Sequence, residues 1–223
     1  MSTRADALTG RVESVNVGEP RSVQVNGHAV WTAIWKSPVE GRVALRGVNL
    51  RGDDQADRTV HGGPDKAVYA YGIEDTEWWE EQLGGPLGAG AFGENLTVRG
   101  IPVSEAVIGE RWIVGTAVLE IAQPRLPCFK LGLRMGDARF PKRFAAAGRP
   151  GAYLRVVQEG DIGAGDRIDV ASRPAHGVTS ALVSRALLSA PQLLAAALQA
   201  PELPAGLCVW MRERAGNAPR RAG

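Results

Sequence analysis

The stretch Gln123-Pro124-Arg125-Leu126-Pro127-Cys128-Phe129-Lys130 sets one sulfur among two prolines and two cations, directly after a strand-like run. Pro124 and Pro127 end the extended run 117–122. Proline is well tolerated at the first position of a helix, so Cys128 is expected in a helical first turn. Free backbone N–H groups there, together with Arg125 and Lys130, would favour the thiolate and pull its pKa below the usual value of about 8.5. The alternative is that Cys128 is a buried small hydrophobe, as free cysteines often are. A second stretch, 52–67, is dense in charge and glycine and holds Asp57, Arg58, His61, Gly62, Gly63 and Lys66 just before another strand-like run. Paired glycines let a backbone approach a ligand closely and form N–H nests for anions, while His61 and Lys66 offer a proton and a positive charge. The competing reading is a solvated turn with a structural histidine. A third loop, 91–95, carries Asn95, whose amide both donates and accepts, as recognition of a heteroaromatic group requires.

These loops need a scaffold, and the chain changes character near Ser172. Before it, short β-rich runs at 11–17, 28–35, 42–50, 67–71, 95–99, 111–121, 153–158 and 166–170 alternate with glycine-rich turns. Many short strands between turn signals predict a β-barrel. Helices are expected at 75–83, with acidic residues in the first turn and Gly84 as the stop, and at 129–135 and 141–147. After Ser172 three helices are expected, at 178–188, at 190–199 begun by Pro191, and at about 203–214. The fold class is therefore mainly β (α+β), divided into 1–171, a barrel, and 172–223, a small three-helix domain with a basic tail. That second part holds six arginines against two glutamates, a net +4.

Composition removes several function classes. The 223 residues carry a net charge of +2 and 44% hydrophobic residues, ordinary for a globular protein and too weakly charged to imply a polyanionic partner for the whole chain. Cys128 and Cys208 are too few and too far apart for a disulfide framework, which favours a reducing cytoplasm. No signal-peptide h-region opens the chain and no apolar run approaches the roughly 18 residues of a membrane span. Gly88-Ala89-Gly90-Ala91-Phe92-Gly93 satisfies G-x-G-x-x-G, yet it leads into Leu96-Thr97-Val98 rather than a helix, so no dinucleotide site is expected. No P-loop, C-x-x-C or G-x-S-x-G motif occurs, and the histidines at 28, 61 and 176 lack zinc-ligand spacing.

The run 33–170 resembles the MOSC family, named after the C-terminal domain of molybdenum-cofactor sulfurases, and specifically its YiiM-type branch. The resemblance rests on Ile34-Trp35-Lys36-Ser37-Pro38-Val39, on Gly52-Asp53-Asp54-Gln55-Ala56-Asp57-Arg58 with Val60-His61-Gly62-Gly63-Pro64-Asp65-Lys66-Ala67, on Phe92-Gly93-Glu94-Asn95-Leu96, and on Gln123-Pro124-Arg125 with Pro127-Cys128-Phe129-Lys130-Leu131. It implies a β-barrel-like fold with few helices, ending in a small three-helix domain. It also implies a molybdenum cofactor, a pterin dithiolene with a phosphate tail, whose metal is bound by Cys128. A soft thiolate suits such a metal. Lys36, Ser37 and Arg58 match the Lys-Ser pair and arginine that contact the cofactor in related members. Gly62, Gly63, Asn95, Arg125 and Lys130 are the further binding candidates, and His61 and Lys66 match positions that look catalytic beside Cys128.

The function expected from this resemblance is molybdenum-dependent reduction of N-hydroxylated compounds such as 6-N-hydroxylaminopurine, a detoxification of base analogues. The chain has neither a flavin or nicotinamide fingerprint nor the cysteines for an iron–sulfur cluster, so a separate redox protein is expected to supply electrons. The rival is a sulfur or molybdenum-cofactor carrier using a Cys128 persulfide or thiolate. A nucleic-acid role for the basic C-terminal helices is disfavoured, because a +4 patch is ordinary solvated surface. No membrane partner is expected, and a homodimer is allowed for.

Overall fold

A computed structural model describes residues 8–55 and 62–216. In chain order its strands and helices are β1 (Thr9–Val17), β2 (Arg21–Val25), β3 (His28–Thr32), β4 (Ser37–Pro38), β5 (Arg42–Arg46), β6 (Asn49–Leu50), β7 (Val68–Gly72), α1 (Ile73–Leu83), β8 (Leu96–Arg99), β9 (Arg111–Val114), β10 (Ala117–Gln123), α2 (Phe129–Met135), α3 (Phe140–Ala147), β11 (Ala152–Gln158), β12 (Gly160–Gly163), β13 (Arg167–Ser172), α4 (Ser180–Leu188), α5 (Leu194–Ala197) and α6 (Ala205–Gly216).

The barrel runs β13-β9-β10-β11-β7-β8-β1 and closes when β1 pairs with β13, so seven strands share one ladder. Closure falls to β1, the longest strand, which has β13 along its first half and β8 beside it. A register shift between Val12 and Ser14 bends it between those partners, as a β-bulge does. Most neighbours are antiparallel. The exception is β7 beside β8, which is parallel because α1 lies between them as a crossover. Gly84 ends α1 in the left-handed conformation, its N–H donating to the Glu80 carbonyl, as the sequence predicts.

Alternation fills the barrel. Val12, Val15, Leu96, Val98, Trp112, Val114, Leu119, Ile121, Leu154 and Ile168 are buried in one cluster. The buried residues of α4 and α5 (Val183, Ala186, Leu187, Leu194 and Ala197), with Met211 of α6, belong to that same cluster. A second, aromatic cluster sits outside the barrel, where Tyr69 and Tyr71 of β7 meet Trp79 of α1, Phe92, Leu131 of α2, and Phe140 and Phe144 of α3.

Several sequence expectations change. The run 111–121 is a hairpin, with Ala117 opposite Val114 and Gly115 at φ 59° in the turn. The strand expected over 28–35 stops at Thr32, and three unexpected strands appear: β2 pairs with β3 across Asn26-Gly27, the two-residue β4 pairs with β1, and β12 pairs with β5. Of the last three helices, α4 starts two residues later than expected, 190–199 resolves into a 3₁₀ turn at Pro191–Leu193 followed by α5, and α6 keeps its expected length but lies two residues further along the chain.

Candidate functional site

Connections after β3, β6 and β10 and before β7 and β8 converge on one cleft with Tyr69 of β7 and Tyr153 of β11 in its wall. It brings together Lys36, Lys66, Asn95, Arg125, Cys128 and Lys130 of the expected site residues, from four places in the sequence. Arg58 and His61 lie outside the described residues. Ser37 is exposed in β4 and does not line the cleft, nor do Gly62 and Gly63. The Gly63 N–H donates to Gln55 Oε1 at 2.9 Å, so this half of the glycine pair is spent on holding the loop. Gln55 Nε2 also donates to the Lys66 carbonyl, and Gln123 Nε2 to the Asp65 carbonyl, which fixes the turn carrying Lys66 against the barrel.

Cys128 is not within the helical first turn. It is the extended residue just before α2, at φ −127° and ψ 174°, half-buried and free, with Phe129 as the first helical residue. Cys128 is the N-cap of α2, a position that takes extended backbone while its carbonyl already accepts a helical N–H, here that of Leu131 at 3.0 Å.

Two cations of the cleft differ in how they are held. Lys36 Nζ is paired with Asp53 Oδ1, the two side chains being 9% and 4% exposed. Burial pulls the Lys36 ammonium below its ordinary value, and Asp53 offsets part of that. Asp53 is in turn braced by the Gly18 N–H at 2.8 Å and by Asn95 Nδ2 at 2.8 Å. Asn95 Nδ2 gives its other proton to the Asn16 carbonyl, and its Oδ1 accepts from the Tyr69 N–H. Both amide protons are thus committed inside the protein, and Asn95 acts as a strut for the Lys36–Asp53 pair.

Arg125 is buried, 5% exposed, with its guanidinium 5.4 Å from the ring centres of both Tyr69 and Phe144. Burial disfavours its charge, but Tyr69, Tyr153 and Cys128 nearby more than restore it, and its pKa stays above the ordinary arginine value. Its Nη1 has no hydrogen-bond partner among the described residues. A buried charged donor left open costs on the order of 1–3 kcal/mol or more, which a ligand acceptor would recover.

The third loop is closed by its own carboxylate. Glu94, buried, accepts from the Gly90 N–H at 2.6 Å, the Phe92 N–H at 3.0 Å and the Thr97 hydroxyl at 2.9 Å. Burial raises its pKa, and those three donors hold part of the rise back. Two glycines of the G-x-G-x-x-G match serve close packing here: a Cβ on Gly90 would stand 2.6 Å from the Lys36 carbonyl oxygen, and one on Gly93 2.8 Å from the Ile34 side chain.

Sequence reasoning passed over Asp53, Tyr69 and Tyr153. Asp53 lay inside a quoted motif, and its partner 17 residues away carries no sequence signal. The alternating Tyr69 and Tyr71 within a strand-like run were the available hint that one strand face meets polar groups, since buried tyrosine hydroxyls seek partners. Burial raises the pKa of both Tyr69 and Tyr153, so both hydroxyls stay protonated.

A closed seven-stranded barrel whose loops gather a cysteine and four cations into one cleft defines the class. Residues 57–169 match the family model described as MOSC domain. YflK, an uncharacterized protein of Bacillus subtilis, is 38% identical over 174 residues, 78% of this chain and 79% of its own. Protein YiiM of Escherichia coli is 30% identical over 171 residues, 75% of this chain and 71% of its own. The crystal structure of YiiM from Geobacillus stearothermophilus superposes with a TM-score of 0.76 at 30% identity, over 92% of this chain and 99% of that one. The chain belongs to the MOSC domain family, with YiiM proteins among its relatives in both sequence and structure.

The donor set fits the cofactor that this membership suggests. Among the described residues no group of three or more His, Cys, Asp or Glu could hold a metal, and in the cleft these residues offer a single soft thiolate rather than a complete metal site. Around it, Lys36, Lys66, Arg125 and Lys130 face Asp53 and Asp54, an excess of cations suited to an anionic ligand that brings further metal ligands of its own. Among the described residues no helix is long and apolar enough to cross a membrane.

Proposed function

We propose that this protein is a molybdenum-cofactor-dependent oxidoreductase that reduces N-hydroxylated compounds, purine base analogues such as 6-N-hydroxylaminopurine among them. The observation that carries the reading is the open Nη1 of buried Arg125 in the same cleft as the Cys128 thiol. A longer chain of Gibberella moniliformis named a reductase supports a redox role: it is 35% identical over 152 residues, which is 66% of this chain and 27% of its own length.

The reaction converts R–NHOH, two electrons and two protons into R–NH2 and water. The cofactor, when bound, supplies two-electron oxygen-removal chemistry. Cys128 would ligate its metal through sulfur. Arg125 and Lys130 would hold its anionic groups, and Lys36, pinned by Asp53, would fix the opposite wall. Tyr69, Phe92 and Tyr153 provide flat surfaces for heteroaromatic rings. Lys66 lines the cleft and is the described candidate for proton delivery, with His61 the second.

Protein purified from a molybdenum-replete host should carry molybdenum and pterin, and with reduced methyl viologen it should reduce 6-N-hydroxylaminopurine. Cys128→Ser should lose the metal while remaining folded. His61→Ala should keep the metal and slow turnover by roughly 10²-fold, the scale of a lost general acid. Loaded wild-type protein that reduces no N-hydroxylated substrate with any donor would replace this reading with a sulfur or cofactor carrier acting through Cys128.

A further inference from the structure

Electrons must reach the cleft from another protein if the reductase reading holds, and the surface beside Cys128 has the character of a docking face. Positive charge is concentrated there. Residues 129–149 contain Lys130, Arg134, Arg139, Lys142, Arg143 and Arg149 against Asp137, a net +5 in a chain whose total is +2, so the remainder is net negative. These residues span α2 and α3. The inner side of α3 is apolar, Phe140 and Phe144 being buried, and Phe144 stacks beneath Arg125. Its outer side is cationic: Arg139, with a side chain 91% exposed, Lys142 and Arg143 are exposed.

The face continues across the cleft mouth onto the β2–β3 hairpin. Arg21 stacks on Trp35 at 4.0 Å and stands close enough to Arg134 for the two guanidiniums to repel. Residues 32–34, which follow from β3, line the cleft itself. Two large apolar side chains flank this cationic surface, Trp31 at 57% exposure and Phe129, next to Cys128, at 53%. Exposed aromatic anchors within an arginine-rich rim are the composition of a protein–protein interface rather than of plain solvated surface.

We propose that α2, α3 and the β2–β3 hairpin form the docking face for an acidic electron-carrier protein, whose redox group would be brought over the cleft beside Cys128. This rests on the reductase reading. Charge complementarity selects the occupant: an acidic carrier is steered to the most positive surface of a chain that is elsewhere net negative. Two reduced one-electron carriers would be oxidised for each N-hydroxyl group reduced.

Flavodoxin, an acidic one-electron carrier, is the probe, and its binding to the full chain is read by flavin fluorescence anisotropy at several salt concentrations. Arg139→Glu with Lys142→Glu should raise Kd at least tenfold and flatten the salt dependence. Arg139→Lys with Lys142→Arg should bind as the wild type does, and so should Arg185→Glu with Arg212→Glu, which makes the same charge change on α4 and α6. Turnover driven by reduced methyl viologen should be equal in all four proteins, while turnover driven by reduced flavodoxin should fall with binding. Failure of flavodoxin to bind the wild type, or equal loss in both charge-reversed proteins, overturns the proposal. So does tighter binding of single-stranded DNA that the α3 variant alone abolishes. If binding behaves as expected but viologen drives no reduction, the reductase reading fails and the docking face stands.

Discussion

Arg125 is a cation taken out of water with one donor left open, and stability alone gives no reason to keep it. Replacing a buried charge by an apolar group of similar length is often neutral or stabilising. Arg125→Met should therefore leave the thermal midpoint unchanged or raise it, while cofactor retention is lost. A fall of several degrees together with undiminished retention would make Arg125 a structural residue. Glu94 presents the opposite balance, a buried carboxylate with three donors. Its folded pKa is raised above 4.5, so the folded state binds the extra proton, and Glu94 contributes stability below that value that is lost as pH rises through the folded pKa. The wild type should thus lose stability relative to Glu94→Gln as the pH is raised above about 4.5. At neutral pH Glu94→Gln is still destabilised, by about 1–3 kcal/mol, because an amide N–H would face a backbone donor. Urea denaturation of both proteins across that range measures the two effects, and a difference that does not vary with pH would show that Glu94 does not titrate there.

Gly90, in the loop 88–95, serves the site without lining the cleft itself. Gly90 has φ 77° and its α-carbon lies against the Lys36 carbonyl, so Gly90→Ala meets both backbone strain and a 2.6 Å contact. A loss of about 2 kcal/mol is expected from the positive φ and the overlap together, with weaker cofactor retention because Lys36 and Asp53 shift. Gly85→Ala, at a position with open space, should change neither; equal effects of the two variants would remove the close-approach argument. Much of the fold was legible at this scale, since apolar alternation and Gly84 mark real strands and a real helix end. The β2–β3 hairpin was missed although its signal was present, Asn26-Gly27 being the strongest short hairpin signal, with φ of 50° and 80° in the structure. The turn at Gly115 was not legible, since one glycine inside a β-branched run reads as a continuing strand. Among the residues that line the cleft, Cys128, Arg125 and Lys130 stood out by local chemistry. The commitment of Asn95 to Asp53, 42 residues away, is a tertiary fact that no local spacing encodes.

At the scale of the whole molecule, the C-terminal helices are tied to the barrel by polar as well as apolar contacts. The Ser180 N–H donates to the Ala106 carbonyl, its hydroxyl to the Gly151 carbonyl, and Arg173 pairs with buried Glu110 at 2.5 Å. Arg155 of β11 joins three parts at once: it pairs with Asp65, in the turn that carries Lys66, and with Glu120 of β10, and it donates to the Glu202 carbonyl ahead of α6. A chain ending at Ser172 would leave Glu110 buried without its guanidinium and uncover the apolar surface that Val183, Leu187, Leu194 and Met211 protect. At roughly 1.5–3 kcal/mol for each large side chain, that loss is comparable with the 5–15 kcal/mol that stabilise a whole domain. The shortened chain should therefore show no cooperative calorimetric transition and should bind a hydrophobic dye. Residues 1–172 that melt sharply, stay monomeric and keep the cofactor would show instead that the barrel and its site stand alone. The narrower variant Arg155→Met separates the two roles of the helices: it keeps their apolar packing, so the melt should stay cooperative, while release of Asp65 should loosen the Lys66 turn and slow turnover more than it lowers stability.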